Sequence, residues 1–426
     1  MDAGTHLELE ITDVAHGGVF VGRYGDERRV VFVPDTVPGE RVRVRLTDTS
    51  KRSFWRAEVV EVLDASPHRQ PHVWAQADLW VPAEHRPGGA DFGHIVLPEQ
   101  RALKLRVLED ALARIGRLSL PATMEPAHPS ATGDAESADG TGWRTRVSLH
   151  VDAEGNIGPF GARSHRVVPV RELPLATAAI ADAAAGLSGA RPGRVDLVQP
   201  ADGRVRVIAR PEARPPRAPR AEVVTERVGE RAFRVDAGGF WQVHRLAAST
   251  LTTLVSDALH DVGVDPEGWH LDLYGGVGLL AAAIGDVAGP SARITSVESN
   301  ARATEHAGHN LAQWVGARAE TARVERWVAE LADNASIDQR ARLARGVVVL
   351  DPPRSGAGKD TARAIAGLDP AAIVYVACDP VALARDLAEF RLHGYEAQTV
   401  RAVDLFPHSH HVEAVAALRR TGAQLA

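Results

Sequence analysis

The first 62 residues alternate between apolar and polar side chains, and glycines interrupt the alternation. A period of two predicts β-strands that bury one face and expose the other. The predicted strands cover residues 7–11, 29–34, 40–46 and 54–62. Short strands separated by glycine turns favour a small β-barrel of the oligonucleotide-binding type.

The third of these strands carries a basic face. Its alternation places Arg41, Arg43 and Arg45 on one side, and the aromatic residues Phe54 and Trp55 follow nearby. Basic groups interleaved with aromatic rings suit single-stranded nucleic acid. An ordinary solvated strand face is equally compatible with the pattern, with the arginines balanced by acidic residues. The candidate acids are Glu8, Glu10, Asp26 and Glu27.

Residues 63–225 show a weaker pattern. Apolar residues at helical spacing predict a helix over 99–117, and the stretch 121–142, rich in small and polar residues, predicts a loop insertion. A strand is predicted over 143–151, with Arg144 and Arg146 available either to bind phosphate or to face water. The proline-rich stretch 211–220 predicts an extended linker.

From residue 226 onward, predicted strands alternate with predicted helices. The apolar strands cover 269–274, 294–298, 347–350 and 373–376. Alternation of this kind predicts a parallel sheet covered by helices on both faces, and such sheets bind ligands at the carboxyl ends of their strands.

The overall composition is that of a soluble globular protein. Of the 426 residues 45% are hydrophobic and 24% are charged, and the formal net charge is −6. The single cysteine excludes a disulfide framework and a cysteine-rich metal centre within this chain. The N-terminus lacks the basic and apolar segments of a signal peptide, and no apolar run is long enough to span a bilayer. We therefore expect a cytoplasmic protein with no membrane partner.

A glycine turn, 275–278, follows the first strand of the alternating part and opens a helix. It allows the backbone to approach a nucleotide-like ligand closely. Glu298 ends the next strand, at a position that suits an acid binding ribose hydroxyls. The spaced third glycine of a dinucleotide motif is missing, so the pattern favours S-adenosylmethionine over NAD.

Cys378 lies between an apolar strand and a helix that begins at Pro380, where the helix dipole favours a thiolate. The polar stretch 351–354 follows a predicted strand and contributes Asp351, and the stretch 404–413 ends in Glu413 after a histidine cluster. A thiol and a carboxylate suffice for covalent methylation of a pyrimidine. The thiolate adds to carbon 6, carbon 5 attacks a methyl sulfonium, and a base removes the proton from carbon 5.

These motifs, in this order, resemble those of the RNA uracil-5 methyltransferases over nearly the whole chain. The resemblance implies a multidomain α/β protein: a TRAM β-barrel (1–62), an α+β central domain that faces RNA (63–225) and a Rossmann-like class I methyltransferase domain (226–426). It also implies S-adenosylmethionine as cofactor and 5-methyluridine in structured RNA, ribosomal or transfer, as product. We expect a monomer.

The resemblance assigns roles to single residues. Cys378 corresponds to the nucleophile and Glu413 to the general base. The implied cofactor-binding residues are Gln242, Asp272, Tyr274, Gly276, Gly278, Glu298 and Asp351. Many family members hold an iron–sulfur cluster, but the matching stretch 88–91 has no cysteine, so we expect none. Asp379 replaces a common asparagine, and Gly275 replaces a frequent cysteine or serine.

Three alternatives remain open. His408, His410 and His411 are a possible metal site, although they lack a fourth ligand at suitable spacing, and we predict no metal. The chain is alternatively an inert RNA-binding protein. A third alternative is methylation of another acceptor such as an exocyclic amine, although Arg354 stands where an aromatic residue would stack that base. A two-cysteine RNA cytosine-5 enzyme is excluded by the single thiol.

Overall fold

The N-terminal part of the computed structural model, which describes residues 1–162, 164–212 and 221–421, is a closed five-stranded barrel. Its strands are β1 (His6–Ala15), β2 (Val19–Tyr24), β3 (Arg29–Val33), β4 (Arg41–Asp48) and β5 (Phe54–Asp64). Around the barrel they follow the order β1-β2-β3-β5-β4. Alternate apolar side chains point inward, so Leu9, Ile11, Val42 and Val44 form part of its buried core.

The central part combines one long helix with a small antiparallel sheet. In chain order its elements are α1 (Leu97–Arg114), β6 (Ala122–Pro126), β7 (Arg146–Val151), β8 (Ile157–Gly158), α2 (Ala178–Ala185), β9 (Gly193–Val198) and β10 (Arg206–Pro211). The sheet order is β10-β9-β7-β8. Trp74, Trp143, Leu149 and Leu197 are among the side chains that form its core. Residues 213–220 of the predicted linker lie outside the described residues.

The C-terminal part opens with a hairpin and continues as an α/β unit. In chain order its elements are β11 (Val223–Val228), β12 (Arg231–Asp236), α3 (Ala247–Val262), β13 (Trp269–Leu273), α4 (Leu279–Ala288), β14 (Arg293–Glu298), α5 (Ala301–Asn310), β15 (Ala317–Thr321), α6 (Val324–Asn334), α7 (Ile337–Leu343), β16 (Val347–Leu350), α8 (Lys359–Gly367), β17 (Ala372–Ala377), α9 (Pro380–Leu392), β18 (Tyr395–Asp404) and β19 (Glu413–Arg420).

One large sheet organises this unit, in the order β15-β14-β13-β16-β17-β19-β18-β6. Strands β13 to β17 run parallel, and β19 lies antiparallel between β17 and β18. Apolar side chains cover both faces, in two separate core clusters. Because β13, β14, β16 and β17 are parallel, the polar residues that follow them meet at one edge of the sheet.

The predicted loop insertion 121–142 differs from the structure at its start. Residues Ala122–Pro126 form β6, which pairs in parallel with β18 and ends the large sheet. The pairing satisfies backbone groups of β18 that an open edge would leave unbonded. Helix α1 also joins this unit, because Leu108 and Leu112 pack in one cluster with Leu383 and Phe390.

No helix of the described residues is long and apolar enough to cross a membrane.

Candidate active site

Cys378 sits at the junction between the buried strand β17 and helix α9. The whole of β17 is buried, and the thiol is the first side chain beyond it with partial exposure. Asp379 caps α9, because its Oδ1 accepts a hydrogen bond from the backbone N–H of Ala382 at 2.8 Å. Pro380 fills the first helical position, where no N–H is required. The strand and the cap together fix the direction of the thiol.

Two carboxylates lie in the same cavity as this thiol. Asp351 directly follows β16, the parallel neighbour of β17, and Glu413 begins β19, the antiparallel neighbour on the other side. Both line a cavity of about 980 Å³ together with Cys378 and Arg354. Glu413 is 5% exposed. The structure therefore brings together the three chemical groups that the sequence analysis picked out from separate motifs.

The surroundings of Cys378 oppose a free thiolate. Burial, followed by the charges of Glu413 and Asp351, raises the pKa of the Cys378 thiol to about 12. Burial and the charge of Asp351 raise the pKa of Glu413 well above its usual value. Burial and the charge of Asp272 raise the pKa of Asp351 to about 7. The expected preference for thiolate at the helix start is therefore outweighed here by burial and by the charges of Glu413, Asp351 and Asp379.

Arg354 supplies the positive charge of this cavity wall. Its charge lowers the pKa of both Cys378 and Glu413, although less than burial raises them. Its Nη2 lies 3.2 Å from His411 Nε2. Burial lowers the pKa of His411 to about 3, so the imidazole is neutral at physiological pH and accepts this hydrogen bond. His411 thus orients the guanidinium without adding charge.

The glycine turn forms the second end of the cavity. Tyr274, Gly276 and Gly278 all have positive φ, at 62°, 54° and 88°. A Cβ atom at Gly275 would collide with Ser296 Oγ and the carboxylate of Asp272 behind the turn, so a side chain here would require both of these to shift. Gly276 lines the cavity and has open space where a Cβ would stand, so the turn presents bare backbone there, as close approach to a ligand requires.

Two acids stand behind this turn. Asp272 is fully buried; its Oδ2 accepts a 2.7 Å hydrogen bond from Ser296 Oγ, whereas its Oδ1 has no partner among the described residues. Burial raises the pKa of Asp272 to about 6. Glu298 accepts hydrogen bonds from the backbone N–H groups of Gly276 at 3.2 Å and Asn300 at 2.7 Å. Gln242 and the exposed Phe240 line the same cavity.

The predicted RNA-binding arginines of the barrel are engaged in ion pairs. Arg41 contacts Asp64 at 2.8 Å, and Arg43 and Arg45 pair with acids of β5. The full set of acidic partners is Glu8, Glu58, Glu61 and Asp64. Three of these partners come from β5 and Glu8 comes from β1, the two strands that pair with β4, and Glu8 is the one that the sequence analysis named. The acids balance the charge of this face, which remains solvent-exposed.

Arg144 and Arg146 have different surroundings, although they are two residues apart. Arg146 is buried, pairs with Glu226 at 2.8 Å and donates to the carbonyl groups of Ala237 and Gly239. Its guanidinium is thus occupied by structural contacts and does not face a surface for RNA. Arg144 lines the large cavity, and no carboxylate of the described residues pairs with it.

The histidine segment holds the cavity wall by hydrogen bonds. His408 bonds to Gln100 and to the carbonyl oxygen of Asp139. His410 Nδ1 lies 2.7 Å from Asp91 Oδ2. Within the described part of the chain, no group of three or more His, Cys, Asp or Glu side chains is arranged to hold a metal ion.

Contacts between distant segments were missed by the sequence analysis. His16, in the turn between β1 and β2, lies 2.9 Å from Asp379 Oδ2, next to the thiol. Lys104 of α1 is fully buried and pairs with Asp404 at 2.5 Å. A lysine on the apolar stripe of a predicted helix is a signal for such a pair, whereas nothing in the sequence around His16 points to its partner.

Comparisons with known proteins agree with this architecture. Residues 320–421 match the family model described as tRNA (Uracil-5-)-methyltransferase, and residues 3–60 match the TRAM domain. An uncharacterized RNA methyltransferase of Streptomyces avermitilis is 38% identical, over 97% of this chain and 98% of that protein. Another, from Bifidobacterium longum, is 34% identical over 94% of this chain and 96% of that protein.

A solved structure shares the fold along the chain. It is the crystal structure of Pyrococcus abyssi tRNA (uracil-54, C5)-methyltransferase in complex with S-adenosyl-L-homocysteine. The match has a TM-score of 0.68 at 19% identity and covers 97% of this chain and 100% of that chain. The predicted fold class and the predicted family are confirmed. The chain belongs to the RNA uracil-5 methyltransferase family, with a TRAM barrel ahead of a class I methyltransferase fold.

Proposed function

We propose that this protein makes 5-methyluridine in a structured RNA, ribosomal or transfer, through a covalent adduct between Cys378 and carbon 6 of the uracil. S-adenosylmethionine is the methyl donor. The observation that carries the proposal is the convergence of Cys378, Asp351 and Glu413 on one cavity that also contains the glycine turn. A cofactor site and a nucleophile in one cavity are what direct methyl transfer to a bound base requires.

The glycine end of the cavity fits the cofactor. Asp272 Oδ1 is a buried acceptor without a partner among the described residues, and the bare backbone around Gly276 allows close approach. We assign Gln242, Asp272, Tyr274, Gly276, Gly278, Glu298 and Asp351 to hold the cofactor. When bound, it supplies a methyl group on a positively charged sulfonium. Buried carboxylates favour a cation, so the acids of this cavity suit the charged donor.

The residues of the chain perform the other steps. The Cys378 thiol loses its proton to solvent and the sulfur forms a bond to carbon 6; the carbon 5–carbon 6 double bond opens to an enolate, whose carbon 5 takes the methyl group. Glu413 then removes the proton from carbon 5, the carbon 5–carbon 6 double bond re-forms, and the carbon 6–sulfur bond breaks. Because burial raises the pKa of Glu413, this carboxyl holds protons more tightly than an exposed one, and a nearby cation favours its ionised, basic form.

The position of the cavity suits a flipped base. Its walls come from the central part, through Trp143 and Arg144, and from the strand ends of the large sheet. A base inside an RNA helix cannot reach Cys378, so the uridine must leave its stack to enter. Arg144 has a guanidinium without a carboxylate partner at this wall and is our candidate for a phosphate contact.

The test uses RNA containing 5-fluorouridine, S-adenosylmethionine and denaturing electrophoresis. Fluorine cannot leave carbon 5 as a proton does, so the methylated adduct is expected to stay bound to the protein. The band must vanish in Cys378→Ala, and sequencing of the trapped RNA identifies the modified uridine.

Glu413→Gln provides the matched comparison on ordinary uridine. This variant keeps the thiol and the size of the side chain, so it is expected to accumulate a methylated adduct that turns over slowly. Absence of an adduct with every cellular RNA, in protein that still binds the cofactor, would favour an inert RNA-binding protein or another methyl acceptor.

A further inference from the structure

A second cavity adjoins the active site and has no part in the chemistry above. Its volume is about 360 Å³, within the range of pockets that enclose small ligands. It lies against β7 of the central sheet, with walls formed by segments 88–91, 159–162 and 173–176. Gly89, Asp91 and Arg144 line both this cavity and the active-site cavity. The two cavities therefore share a wall and lie side by side.

The shared wall lies on the side of the active site where the base is expected. Asp91 Oδ2 is 2.7 Å from His410 Nδ1, and His410 belongs to the segment that leads into Glu413. The glycine turn, which we assign to the cofactor, contributes no lining residue to the second cavity. The second cavity therefore continues the RNA side of the site.

The lining of the second cavity has the character of a nucleobase site. Leu149, Leu173 and Leu175 provide apolar walls, and the ring of Phe160 lines another side. Phe160 is held by a stacked contact with His150, with the ring centroids 3.5 Å apart. Trp74 also lines the cavity; it is 4% exposed, and its Nε1–H has no acceptor among the described residues. Buried indole N–H groups usually have a partner, and a base supplies acceptors.

Arg144 provides a charge at the junction. Its Nε donates to the carbonyl oxygen of Arg146 at 3.0 Å, which leaves its two terminal nitrogens without a carboxylate partner in the described part of the chain. The neighbouring Arg146, in contrast, is neutralised by Glu226. Even a half-buried guanidinium loses part of its hydration, and an anion beside it compensates that loss. The phosphate between two adjacent nucleotides is an anion that would lie between two bases.

We propose that the second cavity binds the base of the nucleotide next to the target uridine, and that Arg144 binds the phosphate joining the two. This proposal rests on the proposed function, because it takes the active-site cavity as the place of the uridine. It assigns Trp74 and Arg144 to the selection of the RNA sequence around the target.

The first experiment compares RNAs in which one neighbour of the target is abasic. Each RNA carries 5-fluorouridine, and the adduct rate is measured at limiting RNA concentration. Removing the base on one side, and only that side, is expected to lower the rate about tenfold or more, since stacking and one hydrogen bond are lost. Equal rates with both abasic RNAs and the intact RNA would overturn the proposal.

The second experiment removes the donor and keeps the ring. Trp74→Phe is expected to lower the adduct rate with the intact RNA about three- to tenfold. It is also expected to reduce, by a similar factor, the loss of rate caused by the abasic neighbour. Trp80→Phe is the matched control, because Trp80 is 75% exposed and lies outside both cavities. An unchanged abasic penalty in Trp74→Phe would contradict the assignment of this side chain.

A third measurement separates this proposal from the proposed function. RNA affinity is measured in Cys378→Ala protein with the same intact and abasic RNAs, so no covalent chemistry is needed. Arg144→Gln in this background is expected to reduce the slope of log affinity against log salt by about 0.7, the loss of one phosphate contact. If adducts never form but the one-sided abasic penalty persists in binding, the chemistry is wrong and the base site stands. An unchanged salt slope would overturn the role of Arg144.

Discussion

Replacement of Lys104 by methionine is expected to destabilise the protein by about 3 kcal/mol, because it breaks a fully buried ion pair. Lys104 lies on α1, with Nζ 2.5 Å from Asp404 Oδ1 and 2.9 Å from the carbonyl oxygen of Phe406. Both charged side chains are completely buried. The pair fastens α1 to the segment 404–413, which contributes to the active-site wall and ends at Glu413.

The magnitude follows from the contacts that Asp404 keeps. Removing one member of a buried pair typically costs about 3–5 kcal/mol, since the other charge is left without its partner. Asp404 Oδ2 still accepts from Arg101 Nε at 3.3 Å, and Oδ1 still accepts from the N–H of Phe406 at 3.3 Å. These long contacts compensate part of the charge, which places the cost at the lower end of the range.

A double variant serves as the control. Lys104→Met combined with Asp404→Asn removes the stranded charge and keeps an oxygen acceptor for the N–H of Phe406. We expect it to recover about 1–2 kcal/mol relative to Lys104→Met alone. Urea unfolding gives both free energies, provided that the slopes with denaturant agree.

The rate of adduct formation with 5-fluorouridine RNA is measured for each protein at urea concentrations below its unfolding transition. Lys104→Met is expected to be slower than the wild-type protein, because the wall that precedes Glu413 has lost its anchor. A loss of stability below about 1 kcal/mol, the value typical of surface pairs, would refute the reasoning. The reasoning would also be refuted if the double variant, Lys104→Met with Asp404→Asn, were less stable than Lys104→Met alone.

Three other perturbations test the site. Asp351 has a folded-state pKa of about 7 against an ordinary 3.8, so the folded state binds its proton more tightly and this residue lowers stability as pH rises through that window. Asp351→Asn should therefore gain stability relative to wild type from pH 5 to 8, and a constant difference in urea unfolding would contradict this. Glu413→Gln should lower turnover on uridine about 10²–10⁴-fold, measured by methyl incorporation, while adduct formation persists. Gly275→Ala should weaken cofactor binding in calorimetry, because its Cβ would displace Ser296 and Asp272 behind the turn; unchanged affinity would contradict the assignment of Asp272 to the cofactor.

Local patterns predicted those parts of the fold that depend on neighbours in the chain. The alternation of residues 40–46 gave a strand with its arginines outward, and the apolar runs before Asp351 and Cys378 gave parallel strands whose ends converge. Parallel pairing then brings distant motifs together without further information. The candidate site was predictable for this reason.

The remaining features depend on partners far along the chain. Residues 122–126 look like loop because no local period marks them, and they become a strand only through pairing with β18. The sequence around Arg146 is compatible with an exposed cation, because its buried partner Glu226 is 80 residues away. The position of Cys378 at a helix start was visible in the sequence, whereas the surrounding acids that raise the pKa of the Cys378 thiol required the three-dimensional arrangement.

The turn between β1 and β2 brings the barrel into contact with the candidate active site. His16 touches Asp379, the residue after Cys378, and a Cβ atom at Gly18 would come within 2.8 Å of the His410 side chain. A foreign barrel joined to this methyltransferase would therefore need a matching turn, with glycine at the position of Gly18, to fit against His410 beside the cavity. The barrel and the candidate active site are consequently one structural unit, and exchange of the barrel alone would remove the contact of His16 with Asp379, beside Cys378.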